Sequence, residues 1–266
     1  MNKLIKYSVL PFLLVIMSFS TAKNDFCGMK NTAFKAGEVV VMKVYYTALG
    51  AYVAAGDATF STRLVQYNGK PAYHFVGEGK TYPFFDNFFK VRDRYESFVD
   101  TATLNPLKFI RNVDEGGHKI YNNVTFNQST QTAISTTGVY KTTPCIQDVV
   151  SAMYYARNID FKKYKVNDKI PFDMFLDDEV YHLYIRYLGK EKIKTRYGKF
   201  HAYKFKPLLI KGTIFEGGEN MNAWVSADNN KLLLRVESPI TVGSVKVDMM
   251  GYSNLRYPLT SLISVR

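Results

Sequence analysis

Between residues 39 and 49 the chain alternates: Val40, Met42, Val44, Tyr46 and Ala48 fall on one side, and Lys43 and Thr47 on the other. A period of two predicts a half-buried β-strand. The same pattern returns at 57–66, 71–79, 89–99, 105–113, 118–126, 131–137, 179–189, 193–206, 208–216, 220–226, 231–238 and 243–256. Turn chemistry separates the segments. Asn68-Gly69, Gly116-Gly117 and Gly217-Gly218 supply the positive φ angles of tight hairpins, and Asp228-Asn229-Asn230 tolerates them. Together these features predict one antiparallel meander of about a dozen strands, which does not stay flat and curls into a closed or half-open barrel around a shared interior.

One stretch breaks the period. Ile146, Val149, Val150, Met153, Tyr154 and Arg157 recur at the spacing of one helical face, predicting an amphipathic helix over 144–157. Thr143 is placed to cap it and Pro144 suits its first turn. On this reading the face carrying Gln147, Asp148 and Ser151 looks to solvent, while the apolar face covers the concave side of the sheet. No linker, repeat or low-complexity run divides the chain, so residues 23–266 are expected to form a single β-barrel-like domain.

The start of the chain carries Lys3 and Lys6, an apolar run from Leu10 to Phe19, and then Ser20-Thr21-Ala22. This predicts a secretory signal over residues 1–22, cleaved after Ala22, because the run is shorter than the roughly 20 residues of a spanning helix. No small residue precedes Cys27, which speaks against lipid attachment there. The mature protein is expected to be exported, to the periplasm or beyond. An oxidising compartment then permits Cys27 and Cys145, the 2 cysteines, to form a disulfide. An outer-membrane barrel shares the alternation, but the helix in mid-meander and the absence of long-and-short loop asymmetry argue against it.

Composition refines this picture. The 266 residues are 47% hydrophobic and 22% charged, which excludes fibrous and disordered classes, and 20 Tyr with 19 Phe against 1 Trp suit pleated surfaces. The formal charge is +12, and loss of Lys3 and Lys6 leaves +10. Because the basic residues are dispersed, weak attraction to anionic envelope polymers and lipid head groups is expected rather than nucleic-acid binding.

The sequence offers little chemistry. Gly77-Glu78-Gly79-Lys80-Thr81 ends like a phosphate loop, but His74 stands where its first glycine belongs and no helix follows. His74, His118, His182 and His201 lie singly in predicted strands, without metal-ligand spacing. Cys145 near a helix start is the one candidate nucleophile; nothing orients a base toward it. Asp114-Glu115, Asp177-Asp178-Glu179, and Glu216 with Glu219 coincide with predicted turns rather than a calcium loop. No catalytic, cofactor-binding or metal-binding residue is assigned. The unusual stretch is Tyr82-Pro83-Phe84-Phe85-Asp86-Asn87-Phe88-Phe89. Its aromatics, Tyr82, Phe84, Phe85, Phe88 and Phe89, are either buried under a barrel end or line the mouth of an apolar ligand cavity.

Three segments carry a resemblance: Ala36-Gly37-Glu38 before the first strand; Asp148-Val149-Val150-Ser151-Ala152-Met153-Tyr154-Tyr155-Ala156-Arg157 on the helix; and Ala223-Trp224-Val225-Ser226-Ala227-Asp228 leading to Val242-Gly243-Ser244. They are similar to domain-of-unknown-function family 3108 of bacterial exported proteins. The sequence departs where Leu232-Leu233-Leu234-Arg235 lacks the proline common after the basic residue. The resemblance implies an exported, mainly β domain with no catalytic residues to carry over. The expected function is therefore a non-enzymatic module binding an apolar or amphiphilic envelope molecule. The alternatives are a structural or interaction protein of the envelope without a ligand, and, third, an envelope hydrolase.

Overall fold

A computed structural model of the chain describes residues 27–48, 51–211, 217–240 and 242–266. The predicted signal segment 1–22 and Glu216 lie outside the described residues. Fifteen strands are present among them: β1 (Val39–Ala48), β2 (Ala51–Tyr67), β3 (Lys70–Thr81), β4 (Val91–Asp100), β5 (Pro106–Glu115), β6 (His118–Asn127), β7 (Thr132–Ile134), β8 (Val139–Lys141), β9 (Lys169–Leu176), β10 (Glu179–Lys194), β11 (Gly198–Pro207), β12 (Asn222–Ser226), β13 (Leu233–Pro239), β14 (Ser244–Ser253) and β15 (Leu262–Val265). Two helices, α1 (Pro83–Asp86) and α2 (Val149–Ala156), and a 3-10 turn at Phe161–Lys163 complete the set.

All the strands belong to one antiparallel sheet. It runs from β8 back through β7, β6, β5, β4, β3 and β2 to β1, then across to β14 and on through β13, β12, β11 and β10 to β9, with β15 added on β11. The β1–β14 pairing joins the two halves of the chain. No backbone ladder links β8 to β9, so of the two expected forms the half-open one is found. Side chains bridge the two edges instead. Phe175 of β9 meets Phe126 of β6 and Tyr140 of β8 at ring separations of 6.0 and 5.9 Å. Arg111 of β5 pairs with Asp177 in the β9–β10 turn, and Thr137 donates to Asp178 at 2.5 Å.

Four details differ from the sequence reading. First, β9 was not expected, because Pro171 interrupts an otherwise alternating Ile170, Phe172, Met174 run; as an edge strand it tolerates a residue with no N–H to donate. Second, β2 begins at Ala51 rather than 57, and the turn predicted at 190–192 lies at Thr195–Tyr197. Third, of the strand expected at 208–216, residues 212–216 lie outside the described residues, and the remainder shows an isolated Leu209–Gly218 bridge. Fourth, the buried apolar side chains form two clusters, not one shared interior. The larger contains Phe34, Phe75, Phe109, Tyr155 and Phe175 around α2; the smaller gathers Val40, Met42, Phe200, Trp224, Leu234 and Met249.

The helix is shorter than predicted and turned over. Cys145 adopts φ 58°, which no helical residue does, and Gln147 is held in a parallel bridge to β9, donating to Asp173 O at 3.0 Å and accepting from Phe175 N at 2.9 Å. The cap is therefore Asp148 and not Thr143. Its carboxylate accepts from Val150 N and Ser151 N at 2.8 and 2.7 Å, and Ser151 Oγ accepts from Asp148 N, a reciprocal capping box. Gln147, Asp148 and Ser151 are buried, whereas Met153 is the exposed residue. Tyr154 stacks on Phe75 of β3 at 3.7 Å, so α2 fills the space inside the sheet.

Residues before β1 form a strap across this plug. Cys27 and Cys145 are joined in a disulfide with Cα atoms 5.4 Å apart. Phe34 is fully buried, edge-on to Tyr73, Phe75 and Tyr154 at 5.2, 5.3 and 5.2 Å. Arg157, at the other end of α2, forms a two-point pair with Glu38, Nη1 to Oε1 at 2.5 Å and Nη2 to Oε2 at 2.9 Å, and donates to Asn230 O at 3.0 Å. Its place is thus set by a buried counter-ion.

Candidate functional site

The aromatic stretch connects β3 to β4. Pro83 sits in the first turn of α1, and no residue of that helix is buried. What orders the segment is polar. Asp86 accepts from Thr81 Oγ1 at 2.5 Å and takes a two-point contact from Arg92, at 3.0 and 2.5 Å. The Arg92 hydrogen bonds, with that from Thr81, hold the Asp86 carboxyl below the usual carboxylate range. Tyr82 donates to Asp57 at 2.6 Å, and the Lys43 ammonium stands 5.8 Å from its ring. Thr81 Oγ1 also accepts from Val91 N at 2.9 Å.

With its base pinned, the segment projects its rings. Phe88 is 73% exposed, Phe84 66% and Phe89 39%. Phe85 meets Tyr46 of β1 edge-on at 6.2 Å, and Tyr46 donates to Val242 O at 3.0 Å. Tyr46 pairs with Val53, which is exposed like Tyr52 and Val242. Three separate connections thus bring exposed apolar side chains to one end of the sheet. Of the two expected placements, burial under a barrel end does not describe Phe84 and Phe88, which no described residue covers, while Tyr82 and Phe85 are half-buried. Two open hollows flank the region. One, of about 550 Å³, is lined by Asp57, Lys80, Arg92, Arg94, Asp114 and Lys119, and the other, of about 480 Å³, by Tyr52, Asn220, Asn222, Glu237 and Lys246. Both are lined mostly by polar and charged residues, and neither by Tyr82 or the four phenylalanines.

Phe89 has a defined seat. It lies on the Gly116-Gly117 turn between β5 and β6, so closely that a Cβ at Gly116 would fall 2.5 Å from Phe89 Cε2. Below that turn Asp93 and Glu115 face each other, and burial first, then Glu115, push the Asp93 carboxyl up to about 7. Sequence reasoning missed this pair because Asp114-Glu115 reads as turn chemistry. A signal existed: Asp93 occupies a position between Val91 and Tyr95 that alternation assigns inward. Further inside, Asp148 is pushed up to about 6 by complete burial, against the hydrogen bonds of Ser151, Ser97 and Val150.

The other singled-out groups stay separate. Cys145 is in the disulfide and carries no free thiol. His74 bonds Glu96 at 2.8 Å and stacks on Phe98 at 4.3 Å, and His182 bonds Asp173 at 2.7 Å. Asp177 and Asp178 form the β9–β10 turn with φ of 49° and 65°, and Glu219 binds Arg186, whose hydrogen bonds lower its pKa to about 2. No group of three or more residues able to hold a metal ion occurs among the described residues. Nor is any helix among them long and apolar enough to cross a membrane.

Comparison with solved structures shows the fold. A β-barrel-like protein of domain of unknown function DUF1849 from Brucella abortus superposes with a TM-score of 0.56 at 8% identity, covering 84% of this chain and 99% of its own. A protein from Bacteroides fragilis NCTC 9343, described as exported with a YmcC-like fold, gives 0.32 at 13% identity over 83% and 97% of the two chains. One from Parabacteroides distasonis ATCC 8503, described as a lipoprotein, gives 0.35 at 12% over 84% and 100%. None of the curated proteins matches the sequence. Residues 41–250 match the family described as "Protein of unknown function (DUF3108)", and the chain, matched over more than half its length, belongs to that family.

Proposed function

We propose that the protein is a non-catalytic, exported binding module that engages an apolar or amphiphilic envelope molecule from outside, at the aromatic end, and not inside a barrel. The single observation that carries this reading is the set of phenyl rings of Phe84, Phe88 and Phe89, held out in solvent by the polar pins on Asp86 and Tyr82. Exposed rings on a floppy loop would be unremarkable in a monomer, where scattered surface hydrophobics are common; rings held in place by charge-assisted bonds need an apolar partner to cover them. Export is supported by the signal-like pattern at 1–22 and by the disulfide, which suits an oxidising compartment.

A fluorescent fatty-acyl probe tests the reading. Binding by the folded protein that is lost in Phe84→Ser/Phe88→Ser, with the thermal transition unchanged, supports it; no binding, or equal binding by the variant, overturns it. The ligand-free alternative, a structural or interaction protein, draws support from the close Phe75–Tyr154 stack that fills the inside of the sheet. Crosslinking in cells that traps a protein across Phe88 would favour it.

A further inference from the structure

Phe89 rests on a hairpin whose strands carry two acids in contact. Glu115 pairs with Val91, and Asp93 is two residues further along β4, so their carboxyl groups are diagonal neighbours on the face that also carries the buried Val113. They lie within hydrogen-bonding reach of each other. Oδ1 of Asp93 is buried and has no hydrogen-bond partner. Two carboxylates cannot hydrogen-bond unless one holds a proton, and both ionised in a half-buried place repel. The link from this pair to the aromatic end is short: Gly116 follows Glu115, its N–H donates to Lys90 O at 2.8 Å, and it bears the ring of Phe89.

We propose that Asp93 and Glu115 share one proton, and that its loss loosens the Gly116–Lys90 contact seating Phe89, so that the aromatic rim is ordered when the pair is protonated and slackened when it is not. The consequence for binding rests on the amphiphile reading above; the switch itself does not. Other charges surround the pair: the hollow that Asp93 helps to line also carries Asp57, Glu78, Lys80, Arg92, Arg94, Asp114 and Lys119. Tyr95 follows on β4, Asp114 offers its main chain to Asp93, Arg111 is occupied by Asn122 and Asp177, His118 stands opposite Glu115 on β6, and Lys90 and Lys119 flank the turn. The value of about 7 for Asp93 places the transition near neutrality.

Amide exchange of the full, disulfide-intact chain tests this at the Gly116 N–H, after correction for the intrinsic pH dependence of exchange. Between about pH 6 and about pH 8 the ionised fraction of Asp93 rises from about a tenth to about nine tenths. Protection of Gly116 is expected to fall by about tenfold in the wild type. In Asp93→Asn and in Glu115→Gln, where an amide can donate at any pH, the fall should shrink to less than about twofold. Unchanged protection in the wild type overturns the proposal. So does a full-size fall in both variants, which would assign the effect to His118 or Asp114. A fatty-acyl probe titrated in parallel separates the two claims: absence of probe binding at either pH removes the amphiphile reading, while exchange at Gly116 still decides the switch.

Discussion

Glu38 and Arg157 offer the sharpest energetic test of the architecture. Glu38 is 1% exposed, and Arg157 is buried against Phe34 and Tyr154, its guanidinium 5.5 Å from each ring. Arg157→Met keeps much of the apolar stem but leaves a carboxylate in the interior without its counter-ion, and strips the donor from Asn230 O. Breaking a buried pair from one side costs about 3–5 kcal/mol. For a chain of this size that corresponds to a fall in melting temperature of roughly 6–20 °C. Glu38→Leu strands the guanidinium instead and should cost about 3 kcal/mol, part of the charge still being met by Asn230.

The double variant Glu38→Leu/Arg157→Met discriminates. Removing both charges also removes both desolvation penalties, so its loss should be well below the sum of the single losses, with a coupling of at least about 2 kcal/mol. Urea unfolding at pH 7, followed by far-ultraviolet circular dichroism with the disulfide intact, measures all four corners of the cycle. Additive losses would show that the pair is not coupled in the folded protein. Single losses under about 1 kcal/mol would show that water reaches it, and that α2 is not packed as described.

Three further outcomes follow from the same structure. The disulfide closes a loop of 118 residues, worth up to about 5 kcal/mol on the loop-entropy model, so Cys27→Ser/Cys145→Ser should shift the urea midpoint strongly; a shift under about 1 kcal/mol would mean the strap holds through Phe34 alone. Asp148 binds its proton more tightly in the folded state, about 6 against an ordinary 3.9, so the native state carries the extra proton between those values and stability declines by about 3 kcal/mol as pH rises across them. Asp148→Asn, which can still accept the cap bonds, should abolish that slope in urea titrations at several pH values; an unchanged slope refutes the assignment. Gly116→Ala combines φ +63° with a clash against Phe89 and should cost about 1–2 kcal/mol while displacing the ring, visible as a shifted Phe89 resonance; an unmoved resonance would show that the ring does not rest on Gly116.

Much of the sheet was legible because alternation is a local property. Val40, Met42 and Val44 of β1, and the hairpin at Asn68-Gly69 with φ of 49° and 75°, announce themselves within a few residues. The failures share a cause: each depended on a partner far along the chain. Pro171 disguises β9 until β9 is known to be an edge. Gln147, Asp148 and Ser151 read as a wet face because polar side chains usually are wet. Here Ser97 and the capping box supply the bonds of Asp148 and Ser151, Ser97 standing 51 residues from Asp148 with its Oγ donating at 2.6 Å, while Gln147 is held through its main chain on the edge of β9 and its buried Oε1 has no partner.

The same reasoning explains why the aromatic stretch stands out in the sequence while its exposure does not. Periodicity finds apolar residues and assumes that something covers them; among the described residues nothing covers Phe84 or Phe88, and what the sequence conceals is the set of polar groups that hold the stretch open. Asp57, Thr81 and Arg92 lie on three strands, β2, β3 and β4, and come together when those strands pair. No single segment contains the pattern. A stretch rich in phenylalanine that folding turns inward is core; one that folding fixes outward through Asp86 and Tyr82 keeps Phe84 and Phe88 exposed, and that difference arises from register between strands and not from composition.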